Sequence, residues 1–245
     1  TEALRAIEEY LKVSDAAAGA AVERLRYQCY QVEQRLGSVT QAARRFGDVR
    51  VYVILTEAIC AGEWLGTARQ VLGAGAEALQ LREKTMPDRV LLDRARRLAG
   101  LCREHGATFI VNDRPDIATL AGAHGVHVGT EDLQVAEVRR IVGPDAIIGV
   151  STHNAEQFGS SLKEMLDYVA VGPMFASATK PRESVAGPET LAAVRWMTAL
   201  PRVAIGGINA QNAGEVLAAD PQAALCACRS VIGEADPGEA VRRLT

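Results

Sequence analysis

Aromatic residues are scarce in this chain of 245 residues, at 4%. That is too few for the stacking surface on which single-stranded nucleic acid is bound. An excess of one charge is lacking too: 27 Lys and Arg against 30 Asp and Glu leave a formal charge of -3. No global positive field therefore holds nucleic acid or an anionic membrane, and any anion site must be a local cluster of cations. No apolar run is long enough to span a bilayer, and the N-terminus lacks the apolar core of a signal peptide. Cys29, Cys60, Cys102, Cys226 and Cys228 show no framework spacing, so reduced thiols and a cytoplasmic location are expected. Near the first strand there is neither a dinucleotide fingerprint nor a phosphate loop. Gly73-Ala74-Gly75 reads only as a helix-ending turn.

What is present suffices for one sizeable core, with hydrophobic residues at 48%. Residues 1–48 read as a helical extension. Leu4, Ile7 and Leu11 recur at helical spacing, Ser14-Asp15 offers an N-cap, and Val22, Leu25, Cys29, Val32 and Leu36 form a second stripe that Gly37 stops. Such a helical pair packs on the main domain or on a partner subunit, so a homo-oligomer is compatible with it, and the alternative is a dedicated regulatory or binding module. Nothing in these residues carries chemistry by type or spacing.

Residues 49–245 alternate short apolar strands with amphipathic helices. The strands are expected at Val51–Leu55, Ala78–Leu81, Thr108–Val111, Gly125–Val128, Ile147–Val150, Tyr168–Val171, Arg202–Ile205 and Ala223–Ala227. Helices are expected at Trp64–Leu72, Asp88–Glu104, Val135–Val142, Pro188–Leu200 and Asn209–Ala218, with a short helical piece after Asn112-Asp113-Arg114. Eight such units predict a closed (β/α)₈ TIM barrel of the α/β class.

Polar residues gather where these strands end. Gln80, Arg82 and Lys84 lie two apart and share one face. Asn112 and Asp113 end the third strand, and Asp132 follows the fourth. Strand ends of a parallel sheet lie side by side, so Asp113 and Asp132 are expected as neighbours, a pair suited to Mg²⁺. Ser151, Thr152, His153 and Asn154 follow the fifth strand, and Ser177, Thr179, Lys180 and Arg182 lie in the loop that Gly172 opens. Gly206-Gly207 lets backbone N–H groups approach a phosphate, before a helix that Asn209 would cap. A planar guanidinium, compact ammonium groups and paired carboxylates together suit a diphosphate with its cation, and the glycines suit a second phosphate.

Other readings of single residues are weaker. Asp132 also fits a helix N-cap. His124 and His127 form H-x-x-H, but the second lies in a strand and no third ligand is evident, so a buried histidine is expected rather than zinc. Cys226 and Cys228 read as buried thiols. Ser151-Thr152-His153 is not a catalytic triad, because neighbours at a strand end diverge.

From Val51 onward the chain resembles the thiamin-phosphate synthase family. The motifs are Gln80-Leu81-Arg82-Glu83-Lys84, Val111-Asn112-Asp113-Arg114, Gly125-Val126-His127-Val128-Gly129 with Asp132, and Gly149-Val150-Ser151. Gly172-Pro173-Met174-Phe175, Thr179-Lys180 and Ile205-Gly206-Gly207-Ile208 complete the set. The resemblance implies a transferase that joins hydroxymethylpyrimidine diphosphate to thiazole phosphate, or its carboxylate, and releases pyrophosphate. It implies that Gln80, Arg82, Lys84, Asn112 and Lys180 bind the diphosphate substrate and that Asp113 and Asp132 hold Mg²⁺. Ser151 would lie near the reacting pyrimidine, with Ser177, Thr179 and Gly207 on the thiazole phosphate side and Ser230 in the substrate-binding set. Arg82, Lys84, Ser151 and Lys180 would be the catalytic residues of a dissociative substitution. The long loop from Gly172 to Gly187 is expected to act as a lid.

The chain departs from the family pattern at Ser177, where Thr is usual. It departs again at Asp220-Pro221, which replaces a glycine region, and at Arg229, in a position normally aliphatic. Arg229 either strengthens phosphate binding or points to solvent. Three other functions suit such a barrel: a thiazole tautomerase-like isomerase, a Schiff-base lyase using Lys84 or Lys180, and a non-catalytic sensor of thiamin precursors.

Overall fold

The computed structural model describes residues 2–15, 17–26, 29, 46–176 and 185–244. Helix α1 spans Glu2–Ser14, and α2 covers residues 17–26. The expected cap is there: the Asp15 carboxylate accepts from the backbone N–H groups of Ala17 at 3.0 Å and Ala18 at 3.1 Å. The expected apolar stripe is not wholly covered, since Ile7 and Leu25 are exposed while the charged Glu8 is buried. An ion pair joins the two helices instead. The Glu8 carboxylate accepts from Arg26 Nε and from Lys12 Nζ, each at 2.6 Å. Val32, Leu36 and Gly37 lie outside the described residues.

The barrel strands are β1 (Val51–Leu55), β2 (Ala78–Leu81), β3 (Thr108–Asn112), β4 (Gly125–Val128), β5 (Ile147–Thr152), β6 (Tyr168–Val171), β7 (Arg202–Ile205) and β8 (Ala224–Ala227). All neighbours pair in parallel, and β8 pairs with β1 to close the barrel. The helices are α3 (Trp64–Gly73), α4 (Asp88–His105), α5 (Pro115–Ala121), α6 (Val135–Val142), α7 (Ala155–Ser161), α8 (Gly187–Val194), α9 (Ala213–Ala219), α10 (Arg229–Ile232) and α11 (Pro237–Arg242). Among the described residues, no helix is long and apolar enough to cross a membrane.

Two helices are shorter than the sequence predicts. The one expected over Pro188–Leu200 ends at Val194, where Met197 N–H turns back to the Val194 carbonyl at 2.9 Å and the Thr198 hydroxyl takes up the Leu200 N–H at 3.1 Å. The one expected from Asn209 starts at Ala213. The Asn209 side chain accepts from Gln211 N–H at 2.9 Å and Asn212 N–H at 3.2 Å, so it makes the expected capping bonds in a turn that precedes the helix rather than on the helix itself.

Strand alternation divides the core into two shells. Val51, Val53, Leu55, Leu79 and Leu81 face outward into the layer shared with the helices, whereas Tyr52, Ile54, Ala78, Ile110 and Tyr168 fill the interior. Phe46, ahead of β1, joins that interior and stacks on Tyr168 with ring centroids 3.9 Å apart. The large Tyr168 ring fits because its strand partner is Gly149. A Cβ on Gly149 would lie 1.9 Å from Tyr168 Cζ.

The departure at Asp220-Pro221 has a structural reason. Asp220 is 2% exposed and bonds the Arg202 guanidinium at the start of β7, while its second oxygen accepts from Gln222 N–H at 3.0 Å. A buried carboxylate satisfied on both oxygens thus ties α9 to β7.

Two outcomes follow. Gly149→Ala is expected to cost roughly 1–3 kcal/mol through overpacking, visible as a lower chemical-denaturation midpoint; an unchanged midpoint would contradict this packing. The Glu8 carboxyl is held at about 2, below its ordinary 4.5, by hydrogen bonds from Arg26 and then Lys12. Because the folded value is depressed, the stabilisation is complete above pH 4.5 and is lost as pH falls toward 2. Acid titration of helical ellipticity in that window is expected to lose amplitude in Glu8→Gln.

Candidate active site

At the C-terminal ends of the strands lies a cavity of about 580 Å³. Gln80, Arg82 and Lys84 all line it, as their shared strand face predicts. Glu83, between the two cations, faces outward. Its carboxylate accepts from Glu57 N–H at 2.7 Å and from Arg94 at 3.4 Å. Arg94, on α4, also donates to Glu57 at 2.8 Å and lies 4.5 Å from the centroid of the Trp64 ring. The Thr56 hydroxyl holds the Arg82 carbonyl at 2.7 Å. The outer layer therefore fixes the parity that sends Arg82 and Lys84 inward, and Glu83 is the anchor that a search for cavity-facing residues passes over.

Asn112 and Asp113 line the same cavity, and so does Asp132. Asp113 sits at φ +60°, inside a three-residue turn closed by Arg114 N–H to the Asn112 carbonyl at 2.8 Å. That backbone is uncommon for a residue with a Cβ and marks stored strain at the end of β3. Its N–H donates to the His127 carbonyl at 2.8 Å, and its carboxylate bonds the Lys84 ammonium. Burial raises the Asp113 carboxyl above the usual range; Lys84 opposes this, and Asp132, within hydrogen-bonding reach, adds to it. Asp132 does not cap α6. One of its oxygens accepts from Gly129 N–H at 2.7 Å, and Gln134 takes the N-cap position, its N–H bonded to Glu137 at 3.2 Å.

The carboxylate pair fits a hard divalent cation by donor chemistry. It presents only oxygens, lies at the rim of an open cavity, and carries a like-charge repulsion that a cation relieves. Among the described residues, no group of three or more His, Cys, Asp or Glu side chains gathers to hold a metal. Two carboxylates leave room for phosphate oxygens, the usual arrangement for Mg²⁺.

The floor of the cavity is polar and neutral. Gln80 Nε2 donates to Tyr52 Oη at 2.6 Å, and Tyr52 Oη lies 3.1 Å from Tyr168 Oη. Tyr168 Oη is 2.8 Å from His127 Nδ1, and His127 Nε2 is 2.8 Å from Ser151 Oγ. Burial holds the His127 ring at about 4, below its ordinary 6.5, with Asp132 opposing, so the ring is neutral near pH 7. His124 is occupied elsewhere, its Nδ1 accepting from Phe109 N–H at 2.9 Å, so H-x-x-H forms no metal pair here. Tyr52 and Tyr168 escape sequence reasoning because each reads as one apolar strand residue.

On the opposite wall Gly206 and Gly207 adopt φ of +96° and +71°. A Cβ on Gly207 would lie 2.6 Å from the Phe175 carbonyl oxygen, so this turn needs glycine. Ser230 lines the cavity with its hydroxyl donated to the Ile208 carbonyl at 2.6 Å. Arg229 lines it too and is exposed. Burial pushes the Cys228 thiol up to about 11 and raises the Cys226 thiol as well, so neither is a thiolate nucleophile near neutral pH. His153 bonds the Gly172 carbonyl through Nδ1 at 2.7 Å. Ser177, Thr179, Lys180 and Arg182, and with them half of the expected lid, lie outside the described residues.

Glu83→Ala is expected to weaken inorganic pyrophosphate binding roughly three- to tenfold, the worth of about one hydrogen bond, by releasing the segment that aims Arg82 and Lys84. Titration calorimetry with pyrophosphate checks this; unchanged affinity would show that Glu83 does not aim them.

The comparisons agree with this geometry. A family model described as thiamine monophosphate synthase matches residues 51–232, and one described as the ThiD2 family matches residues 1–35. The chain is 38% identical over 245 residues to a thiamine-phosphate synthase of a Synechocystis species, covering 99% of this chain and 69% of that protein. It is 41% identical over 200 residues to the thiamine-phosphate synthase of Laribacter hongkongensis, covering 80% of this chain and 94% of that one. Of the Rhodopirellula baltica relative it spans 60%. A thiamine phosphate pyrophosphorylase structure from Pyrococcus furiosus superposes with a TM-score of 0.74 at 34% identity, over 82% of this chain and 95% of that one. The chain belongs to the thiamine monophosphate synthase family.

Proposed function

We propose that this cavity joins hydroxymethylpyrimidine diphosphate to a thiazole phosphate and releases pyrophosphate, the activity of a thiamine-phosphate synthase. The observation that carries this reading is one cavity holding Arg82 and Lys84 beside Asp113 and Asp132, above an uncharged floor. Cations and a carboxylate pair at one rim suit a diphosphate with its counter-ion, and a neutral floor suits an aromatic ring. Asp113 and Asp132 would hold Mg²⁺, which would offset the negative charge of the departing pyrophosphate.

In the reaction the C–O bond between the pyrimidine methylene and the diphosphate breaks, and its electron pair leaves with pyrophosphate. The electron-rich aminopyrimidine carries the positive charge until the thiazole nitrogen forms the new C–N bond. Arg82 and Lys84 neutralise the leaving group. Gln80, Asn112 and Ser151 orient the pyrimidine, while Gly207 and Ser230 hold the thiazole phosphate so that its nitrogen faces the methylene. The parts assigned to Ser177, Thr179 and Lys180 rest on the family pattern alone. No protein nucleophile is needed, and the raised thiols of Cys226 and Cys228 accord with that.

The other functions fit less well. A tautomerase needs neither the carboxylate pair nor the β2 cations, and Lys84, bonded to Asp113, is a poor amine for a Schiff base. A division into a helical extension, 1–48, and a catalytic barrel, 49–245, is supported by the separate family matches over 1–35 and 51–232. The free cysteines support a cytoplasmic location.

Pyrophosphate release from the two substrates is expected to require Mg²⁺ and to fall at least about a hundredfold in Asp113→Ala, the scale of losing one electrostatic contact to the reacting group. Release that persists in chelator, or that is unaffected in Asp113→Ala, would remove the metal assignment. Substrate binding without release would replace the synthase by a sensor.

A further inference from the structure

The floor chain runs between two walls of the barrel. Gln80 belongs to β2 and Ser151 to β5, and Tyr52, Tyr168 and His127 bridge them from β1, β6 and β4. Both ends line the cavity, and so does His127. The three bridging residues are at most 5% exposed, so water does not interrupt the series.

Each bridging group has one hydrogen to give: one on each phenol and one on the neutral imidazole. Four hydrogen bonds link the five residues, so the hydrogens fall into only two fully satisfied orders. In the first, Gln80 N–H donates to Tyr52, Tyr52 to Tyr168, Tyr168 to His127 Nδ1, and His127 Nε2–H to Ser151. The Ser151 hydroxyl then turns its hydrogen to the cavity, and Gln80 keeps its amide oxygen as an acceptor. In the second, Ser151 donates to His127 Nε2, Nδ1–H to Tyr168, Tyr168 to Tyr52, and Tyr52 to the oxygen of a turned-over Gln80 amide. Ser151 now offers a lone pair and Gln80 offers N–H. Any mixed arrangement leaves two lone pairs or two hydrogens facing each other in a sealed site, where an unmade bond is costly.

We infer that the five residues act as one unit that ties Gln80 and Ser151 to opposite hydrogen-bonding characters, so that the cavity recognises a ring offering an acceptor at one wall and a donor at the other. An aminopyrimidine, with a ring nitrogen and an exocyclic amino group, has this character. The identity of the ring rests on the synthase reading; the coupling between the two ends does not. Tyr168 and His127 are positioning residues in this scheme. Tyr168 lies off the cavity and acts through its neighbours, and with His127 it sets the tautomer on which the Ser151 hydroxyl depends.

Tyr168→Phe tests the unit, since it removes the central hydroxyl and keeps the ring that stacks on Phe46. Nitrogen-15 NMR of His127 in the free protein is expected to show a shifted balance between the Nδ1–H and Nε2–H tautomers in Tyr168→Phe. With both substrates, the KM for the pyrimidine diphosphate is expected to rise roughly three- to tenfold, while that for the thiazole phosphate is unchanged. Tyr52→Phe, which breaks the next link, is expected to shift the same KM in the same direction. Identical His127 nitrogen shifts in wild type and Tyr168→Phe would overturn the inference, as would equal changes in both KM values. If the wild type releases no pyrophosphate, the synthase reading fails, while the nitrogen shifts of the free protein still decide the coupling.

Discussion

A tyrosine ring laid across the interior of a closed barrel is the constraint on which the rest of the site depends. Tyr168 is wholly buried, and it occupies that position only because β5 offers Gly149 where a side chain would collide. From there its ring stacks on Phe46, and its hydroxyl reaches both Tyr52 and His127. Packing and polarity are thus settled by the same atoms. Replacing a core hydrocarbon with a phenol is tolerable only when every hydroxyl has a partner, and here each does.

Charge is sorted by height. The interior below the cavity holds neutral side chains, with the imidazole kept uncharged by burial. Arg82, Lys84, Asp113 and Asp132 stand above it at the strand ends. Further buried ion pairs sit outside the interior: Arg202 with Asp220, and Arg139 with Asp167 at 2.7 Å. A cation forming on the pyrimidine methylene would therefore meet no fixed positive charge beneath it, while the leaving group meets cations at the rim. That separation suits a dissociative substitution better than a protein nucleophile would.

Much of this was legible in the chain. Strand boundaries agree within a residue or two because period-two apolar runs punctuated by polar ends carry register directly, as at Ala78–Leu81 and Gly125–Val128. The shared face of Gln80, Arg82 and Lys84 follows from the same periodicity. Glu83 and Arg94 were not legible as an anchoring pair, because the contact forms between a strand end and a helix that the sequence cannot orient. Nor was the floor chain, which assembles single residues from five strands. Asp132 gave a helix-cap signal that Gln134 in fact fills. The likeness of residues 1–35 to the ThiD2 family leaves no trace in the amphipathic pattern there, since periodicity reports a buried face and not what the face is for.

Phe46 stands ahead of the first strand and ahead of residue 51, where the family match begins. A shortened chain beginning at that residue would keep all eight strands and every residue of the rim. It would lose the ring that lies flat against Tyr168. Such a truncation would leave Tyr168 without its stacking partner, so the packed floor of the barrel is longer at its N-terminal end than the strand count suggests.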